Sequence, residues 1–564
     1  MQEDPRRERM QEDPRHGRMQ EDPRRERMQD GPEVRRRPAD RRNVEAETGR
    51  NKDPKKTADG RRINWERRPP DNGPTEIPDD PLEAFLLRKQ QREEKNKRKN
   101  RPIVLLTYVF VLLFLGMFGY IIYFQVAESE RIVANVGNRR QDIMAEMVTR
   151  GDIVSSDGVV LAKTENKDGK DVRVYPYGEL FSHVVGYNDY GRSGIELAMN
   201  FQLLSTNEEI IQQVKDDIKG RKKAGDTVVT TLNYKLQSAA SKALGNHKGA
   251  VVVMEPDTGK ILAMVSKPGF DPNDMDRVWE EIHTEEGASS TVLLNRATQG
   301  LYAPGSTFKV VTALEYIREH GADSGYTYTC KGEDSFNGVK IICYDHRKHG
   351  EVDLEHSIGY SCNTSFANIG VNEIKMSGLR KTAEDLYFNT EIPYEGGCNK
   401  SSFEVDDSTS RDIIPQTVIG QGDTQITPLH NAMIMSAIAN GGVMMKPYLV
   451  ESIQNVAGDT VREYKSSSVK SIMTTSEAAT LAKLLEAPAE YGTSSWKFKN
   501  YRHKIVGKTG TAEYDNAGHC NSWFVGYSNP EDPDIVVSVV IEDSTSDGLS
   551  GVQVAGAIFE TYYP

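Results

Sequence analysis

The chain is poor in cysteine: five in 564 residues, and none before position 330. So few cannot form a disulfide framework, so the fold has to rest on an apolar core. Long apolar runs are equally scarce. Ile103 to Phe124 is a run of 22 predominantly apolar residues without a charge, and no second span of that quality exists. This leaves a single-pass chain and excludes a bundle of membrane helices. An excess of positive charge is missing from most of the molecule. Residues 1–102 hold 29 Lys and Arg against 23 Asp and Glu, leaving 42 of the 71 basic and 60 of the 83 acidic residues for the rest. An acidic body argues against nucleic acid as a partner, because phosphate contacts need clustered Lys and Arg. A basic tail joined to it suggests that the two parts meet different surroundings.

The length calls for two or three units. As a helix, Ile103 to Phe124 would extend about 33 Å, enough to cross a hydrocarbon core. KNKRKNR, Lys95 to Arg101, stands just before it. The positive-inside rule then puts the N-terminus in the cytoplasm and everything after Phe124 outside. The long segment before the run distinguishes an uncleaved anchor from a secretory signal. That segment begins with the nine-residue units MQEDPRRER, MQEDPRHGR and MQEDPRRER. It has too few apolar residues to offset its ordering entropy, so residues 1–102 are expected to be a disordered tail. Residues 103–124 are expected to form the anchor, 125–222 a small stalk and 223–564 the main extracytoplasmic unit. In the stalk, Arg150-Gly151-Asp152-Ile153, Ser156-Asp157-Gly158 and Val159 to Ala162 read as a hairpin.

Three short motifs carry the chemistry: Ser306-Thr307-Phe308-Lys309, Ser361-Cys362-Asn363 and Lys508-Thr509-Gly510-Thr511. Ala303-Pro304-Gly305 before the apolar-periodic FKVVTALEYI marks a helix start. Ser306 would sit at the positive end of that helix, with Lys309 one turn on along the same face. Lys309 can take a hydroxyl proton only when neutral, which burial and a second cation would favour, and Lys508 is the candidate cation. Lys508 lies in a strand-like stretch, HKIVGKTGTAEY. Gly507 and Gly510 there suit the close approach of a ligand backbone, and alternation puts Thr509 and Thr511 on one face.

These motifs occur with GAVVVMEPDTGKILAMVSKPGFDPN from Gly249, LLNRATQGLYAPGSTFK from Leu293, IGQGDTQITPLHNAM from Ile419 and NSWFVGYSNP from Asn521. Together they resemble class B penicillin-binding proteins, closely over residues 225–564 and more loosely over 145–200. RVYPYGELFSHVVGY, from Arg173, resembles the short penicillin-binding-protein-A-like branch. The resemblance implies an α+β transpeptidase domain of the penicillin-binding/β-lactamase type. It would have a five-stranded antiparallel sheet, helices on both faces and a helical lobe holding Ser306 and Ser361. Strands are expected near 250–255, 260–266, 503–513, 521–528 and 534–542, with a closing helix from Val552.

It also implies the chemistry. Ser306 would attack a D-Ala-D-Ala amide of a peptidoglycan stem peptide, with Lys309 as general base. Ser361 and Asn363 would relay protons and hold the amide. Lys508 would tune the electrostatics, and Thr509, Gly510 and Thr511 would bind the carboxylate. The Ser306 and Thr511 N–H groups would form an oxyanion hole. β-Lactams would acylate the same serine. No cofactor and no metal are expected, and a polytopic membrane glycosyltransferase is the implied partner.

A β-lactamase, a D,D-carboxypeptidase and a catalytically idle β-lactam sensor remain as rivals. Cys362, where class A β-lactamases carry Asp, and the membrane anchor weigh against the first. Cys330, Cys343, His346 and His349 admit a Cys330–Cys343 disulfide, a zinc site or plain packing. Cys362 reads as packing, and Cys398 and Cys520 have no evident role.

Overall fold

The computed structural model describes residues 80–125, 140–209, 218–322, 324–514, 518–544 and 548–563. The nine-residue repeats lie outside these. The anchor run belongs to a helix, Pro81–Tyr123, that is long and apolar enough to cross a membrane, with an 18-residue window of mean hydropathy 2.4. Residues 81–101, expected to be part of a disordered tail, are helical. LEAFLLRKQQREEKNKRKN is composed of strong helix formers, and the helix continues through Pro102 into the apolar run.

Residues 140–563 are organised around two sheets. The larger-stranded one runs in the order Thr460–Glu463, Val450–Gln454, Thr227–Thr230, Ile153–Val154, Val160–Lys167, Lys170–Val174. The hairpin read at Ser156-Asp157-Gly158 joins Ile153–Val154 to Val160–Lys167, with Gly158 at φ 79°. Ile153–Val154 pairs in parallel with Thr227–Thr230, which pairs in turn with Val450–Gln454. Strands on both sides of position 222/223, the expected boundary of the stalk, thus share one sheet.

Beside the hairpin lies a buried ionic knot. Arg150 and Arg173 both reach Glu196, at 2.6 and 2.7 Å, and Glu196 is fully buried. Arg150 also donates to Asn200, and Tyr175 Oη to Glu196 Oε1 at 3.3 Å. Burial alone would raise the Glu196 pKa, but the two guanidiniums outweigh it and hold the carboxyl below its usual range.

The second sheet is antiparallel and five-stranded, in the order Ile505–Glu513, Cys520–Ser528, Val536–Ile541, Gly249–Met254, Ile261–Lys267. These are the five strands expected from the sequence. GAVVVM and VVSVVI are buried along their whole length because both faces of the sheet are covered. On one face Leu236, Ala240 and Leu244 of helix Tyr234–Leu244 share a core with Val552, Ala555, Ile558 and Phe559 of helix Gly551–Tyr562. Ser550 and Gln553 close the latter with a capping box. On the other face sits helix Pro428–Ala439, buried from Pro428 to Ile438. It shares a core with Ala250, Val252, Val310, Val311 and Leu314. Strand Ile505–Glu513 is left at an edge, beside the lobe that carries the first two motifs.

Candidate active site

Ser306 lies in a single 3-10 turn, Gly305–Phe308, that leads straight into helix Lys309–His320. Three contacts fix the turn. Gly305 N–H donates to Gly420 O at 2.9 Å, Trp523 Nε1 donates to Ala303 O at 3.1 Å, and Thr307 Oγ1 donates to Pro304 O at 2.8 Å. The IGQGD and NSW segments quoted above therefore seat the serine turn. Phe308 stacks on Phe403 beneath it, with ring centroids 5.1 Å apart. Gly305 adopts φ 53°, and a Cβ there would lie 2.5 Å from Thr511 O.

The edge strand meets this turn backbone to backbone. A Cβ on Gly510 would lie 3.0 Å from Pro304 O and 3.1 Å from Thr307 Cγ2. A Cβ on Gly507 would strike the neighbouring strand at Val525 O and Gly526 Cα. The sequence suggested ligand approach at both glycines. The structure gives each an internal reason: Gly510 admits the serine turn and Gly507 the adjacent strand. Along the strand Thr509 is half-buried and Thr511 exposed, on the shared face expected from alternation, while Lys508 is fully buried.

Both lysines converge on Ser361. Lys508 Nζ donates to Ser361 Oγ at 2.8 Å and to Thr509 O at 3.0 Å. Lys309 Nζ donates to Ser361 O at 2.8 Å, to Ser361 Oγ at 3.3 Å and to Asn363 Oδ1 at 2.6 Å. Ser361 holds the left-handed conformation, φ 55°, which is unusual for a residue with a Cβ. It is kept there by Ser361 N–H to Ile358 O at 3.1 Å and Cys362 N–H to Ser357 O at 2.9 Å. Asn363 opens helix Asn363–Asn368, and its Nδ2 donates to Ile342 O at 2.8 Å.

Two ammonium groups on one hydroxyl, both out of water, cannot both be charged cheaply. Burial lowers the Lys309 pKa to about 8. Lys508 is pushed well below its ordinary value, by burial first and by the charge of Lys309 second. The sequence cast Lys508 as the cation that lowers Lys309. In the structure the influence runs mainly the other way: the charge of Lys309 lowers Lys508, while burial is the main cause of the lowering of Lys309.

Sequence reasoning missed Thr493. Its Oγ1 meets Thr509 Oγ1 at 2.7 Å, and its N–H donates to Gly359 O at 3.2 Å. It thereby links the edge strand to the segment that ends in Ser361. The only sequence signal was the run of small polar residues Gly492 to Ser495. Beyond Thr511 a groove of roughly 1100 Å³ continues past Tyr302, Ala303, Glu513, Tyr514 and Glu542.

The cysteines differ from expectation. Cys330 and Cys343, weighed as a disulfide, are free thiols 3.7 Å apart. Cys362 lies 3.8 Å from Cys343. His346 is exposed and turned toward Glu333 at 3.2 Å, away from the thiols, whereas His349 Nδ1 lies 3.4 Å from Cys330 Sγ. Among the remaining cysteines, burial raises the Cys398 pKa to about 11.

Residues 249–563 match the penicillin binding protein transpeptidase domain, and residues 150–228 match the penicillin binding protein A dimerisation domain. The peptidoglycan D,D-transpeptidase PbpA of Mycolicibacterium smegmatis is 30% identical over 462 residues, which is 76% of this chain and 90% of that one. The crystal structure of the D,D-transpeptidase domain of a peptidoglycan glycosyltransferase from Eggerthella lenta is 34% identical. Its TM-score is 0.65, and the match covers 74% of this chain and 98% of that one. Penicillin-binding protein A from M. tuberculosis, as an imipenem acyl-enzyme, is 28% identical with a TM-score of 0.66, covering 74% and 99%.

Proposed function

The chain belongs to the class B penicillin-binding proteins, in the penicillin-binding-protein-A-like branch, and from that premise we propose that it is a peptidoglycan D,D-transpeptidase inhibited by β-lactams. The observation that carries this is the pair of buried lysines on Ser361, behind a serine turn pressed against an edge strand. A stem peptide would lie along the free edge of Ile505–Glu513 as an added strand, using main-chain bonds. Its terminal carboxylate meets Thr509, Gly510 and Thr511 close to Lys508. Arrival of that charge favours the protonated form of Lys508, and Lys508 so charged favours neutral Lys309. Substrate binding thus arms the base.

Lys309 then takes the Ser306 proton as Oγ attacks the D-Ala-D-Ala carbonyl. The Ser306 and Thr511 N–H groups receive the oxyanion. Ser361, bonded to both lysines, passes the proton to the departing D-Ala amine, and Asn363 holds the substrate amide. An amine of a second stem takes the acyl group from Ser306 and forms the cross-link.

The same reading places the N-terminus in the cytoplasm and the catalytic unit, residues 223–564, outside, raised on residues 125–222. A polytopic membrane glycosyltransferase supplies the glycan strands. Fluorescent penicillin should label the wild-type chain and leave Ser306→Ala unlabelled. Mass spectrometry with a synthetic stem peptide and an amine acceptor should find the transfer product. Hydrolysis alone would make the enzyme a carboxypeptidase, and a Ser306→Ala chain that still labels would sink the assignment of the nucleophile.

A further inference from the structure

Cys330, Cys343 and Cys362 are each at most 2% exposed, and with half-buried His349 they converge on one point behind the active site. Their four donor atoms come from separate places: the end of strand Tyr328–Cys330, the loop after Val339–Ile342, the residue before strand Gly350–Val352, and the residue before helix Asn363–Asn368. All four lie within 4.8 Å of one another. A tetrahedral zinc ion, with Zn–S about 2.3 Å and Zn–N about 2.0 Å, has S–S edges of about 3.8 Å and S–N edges of about 3.5 Å. The measured edges are 3.7 Å for Cys330–Cys343, 3.8 Å for Cys343–Cys362 and 3.4 Å for Cys330 Sγ to His349 Nδ1. No pair is singled out as a disulfide would require, because Cys343 is as close to Cys362 as to Cys330 and both gaps far exceed a bond of about 2.05 Å.

The surroundings suit thiolates. Gly332 N–H points at Cys330 Sγ at 3.4 Å, and the buried Thr364 hydroxyl donates to the same sulfur at 3.3 Å. Donors aimed at the ligand atoms are what a metal site uses to orient its ligands. The His349 ring is held parallel to Tyr360, 4° between planes, which fixes the direction of Nδ1.

We propose that Cys330, Cys343, His349 and Cys362 form a structural Cys3His zinc site that clamps the Ser361 loop. Three thiolates and one imidazole in tetrahedral array select zinc over harder cations. Cys362 stands between Ser361 and Asn363, and Asn363 also bonds the carbonyl of Ile342, the residue before Cys343. One ion therefore ties the middle of the second motif to the segments that carry the other ligands, beside the direct bond from Asn363. Zinc supplies part of the force that keeps Ser361 in its left-handed conformation. The metal site stands whether or not the acyl acceptor proposed above is right.

The test uses the full-length chain purified in detergent without chelator. Elemental analysis should return close to one zinc per chain. Exchange for cobalt should give thiolate-to-cobalt charge-transfer absorption and the visible bands of a tetrahedral ion. Cys330→Ser and His349→Ala should each lose the metal and these bands, and His346→Ala should keep both. In the wild-type chain Cys330, Cys343 and Cys362 should resist alkylation until a chelator is added. Wild-type protein with a cooperative thermal transition that binds neither zinc nor cobalt overturns the proposal. So does peptide mapping that finds a Cys330–Cys343 disulfide.

Discussion

Lys309 and Lys508 share a single hydroxyl, and that geometry sets how the site responds to pH. In the mechanism proposed above, neutral Lys309 is the competent base. Its neutral fraction grows as pH rises toward about 8, the value to which burial has lowered it. Acylation by fluorescent penicillin should therefore climb about tenfold per pH unit well below that point and flatten near it. Lys309→Arg keeps the charge but cannot yield a proton, so acylation should fall on the order of 10²- to 10⁴-fold at every pH. Stopped-flow labelling across a pH series checks both. Thr493 acts at one remove, through Thr509. Thr493→Val removes one hydrogen bond worth about 1 kcal/mol, so acylation should slow roughly fivefold with the pH profile unmoved. The three motifs were legible in the sequence because each packs its chemistry into four residues or fewer. Thr493 was not, because its role exists only where two segments meet. Cys362 was read as packing, and the neighbours that suggest a further role for it lie up to 32 positions away, at Cys330.

The edge strand and the serine turn work as one unit because two glycines let their backbones touch. Gly510→Ala would put a methyl 3.0 Å from Pro304 O, with little room to give on either side. The expected result is a strand shifted from the turn and a marked loss of penicillin labelling, with the melting temperature nearly unchanged. The ionic knot near the hairpin is the opposite case, where stability should suffer first. Glu196→Gln leaves Arg150 and Arg173 buried without a countercharge, a change expected to cost about 3–5 kcal/mol. Chemical denaturation read by fluorescence would measure it. At this scale the sequence was informative where burial is continuous: VVV and VVSVVI could only be central strands. It was silent on the knot, since Arg150, Arg173 and Glu196 are spaced without any period that marks them as partners. It also underestimated the anchor helix, because a tail poor in apolar residues does not announce where helix formers take over at residue 81.

The two sheets interleave along the chain. Strand Val450–Gln454 belongs to the same sheet as Ile153–Val154, yet the residues between them include Ser306 and Ser361. A chain begun at Gly249, the first residue matched to the transpeptidase domain, would lack Thr227–Thr230 and leave Val450–Gln454 with an open edge. Such a chain should aggregate, whereas one begun at residue 140 should stay soluble and take up fluorescent penicillin. Size-exclusion chromatography of the two would tell them apart. The interleaving also imposes an order in time. As the chain is made, Gly249–Met254 emerges early and waits for Val536–Ile541, its neighbour in the finished sheet. Until then an apolar strand has an unpaired side, and the nascent protein depends on whatever shelters it. Ser306 likewise exists, for most of the synthesis that remains after it, without the strand that bears Lys508. The enzyme cannot act before it is whole, so half-made copies are silent and not misdirected.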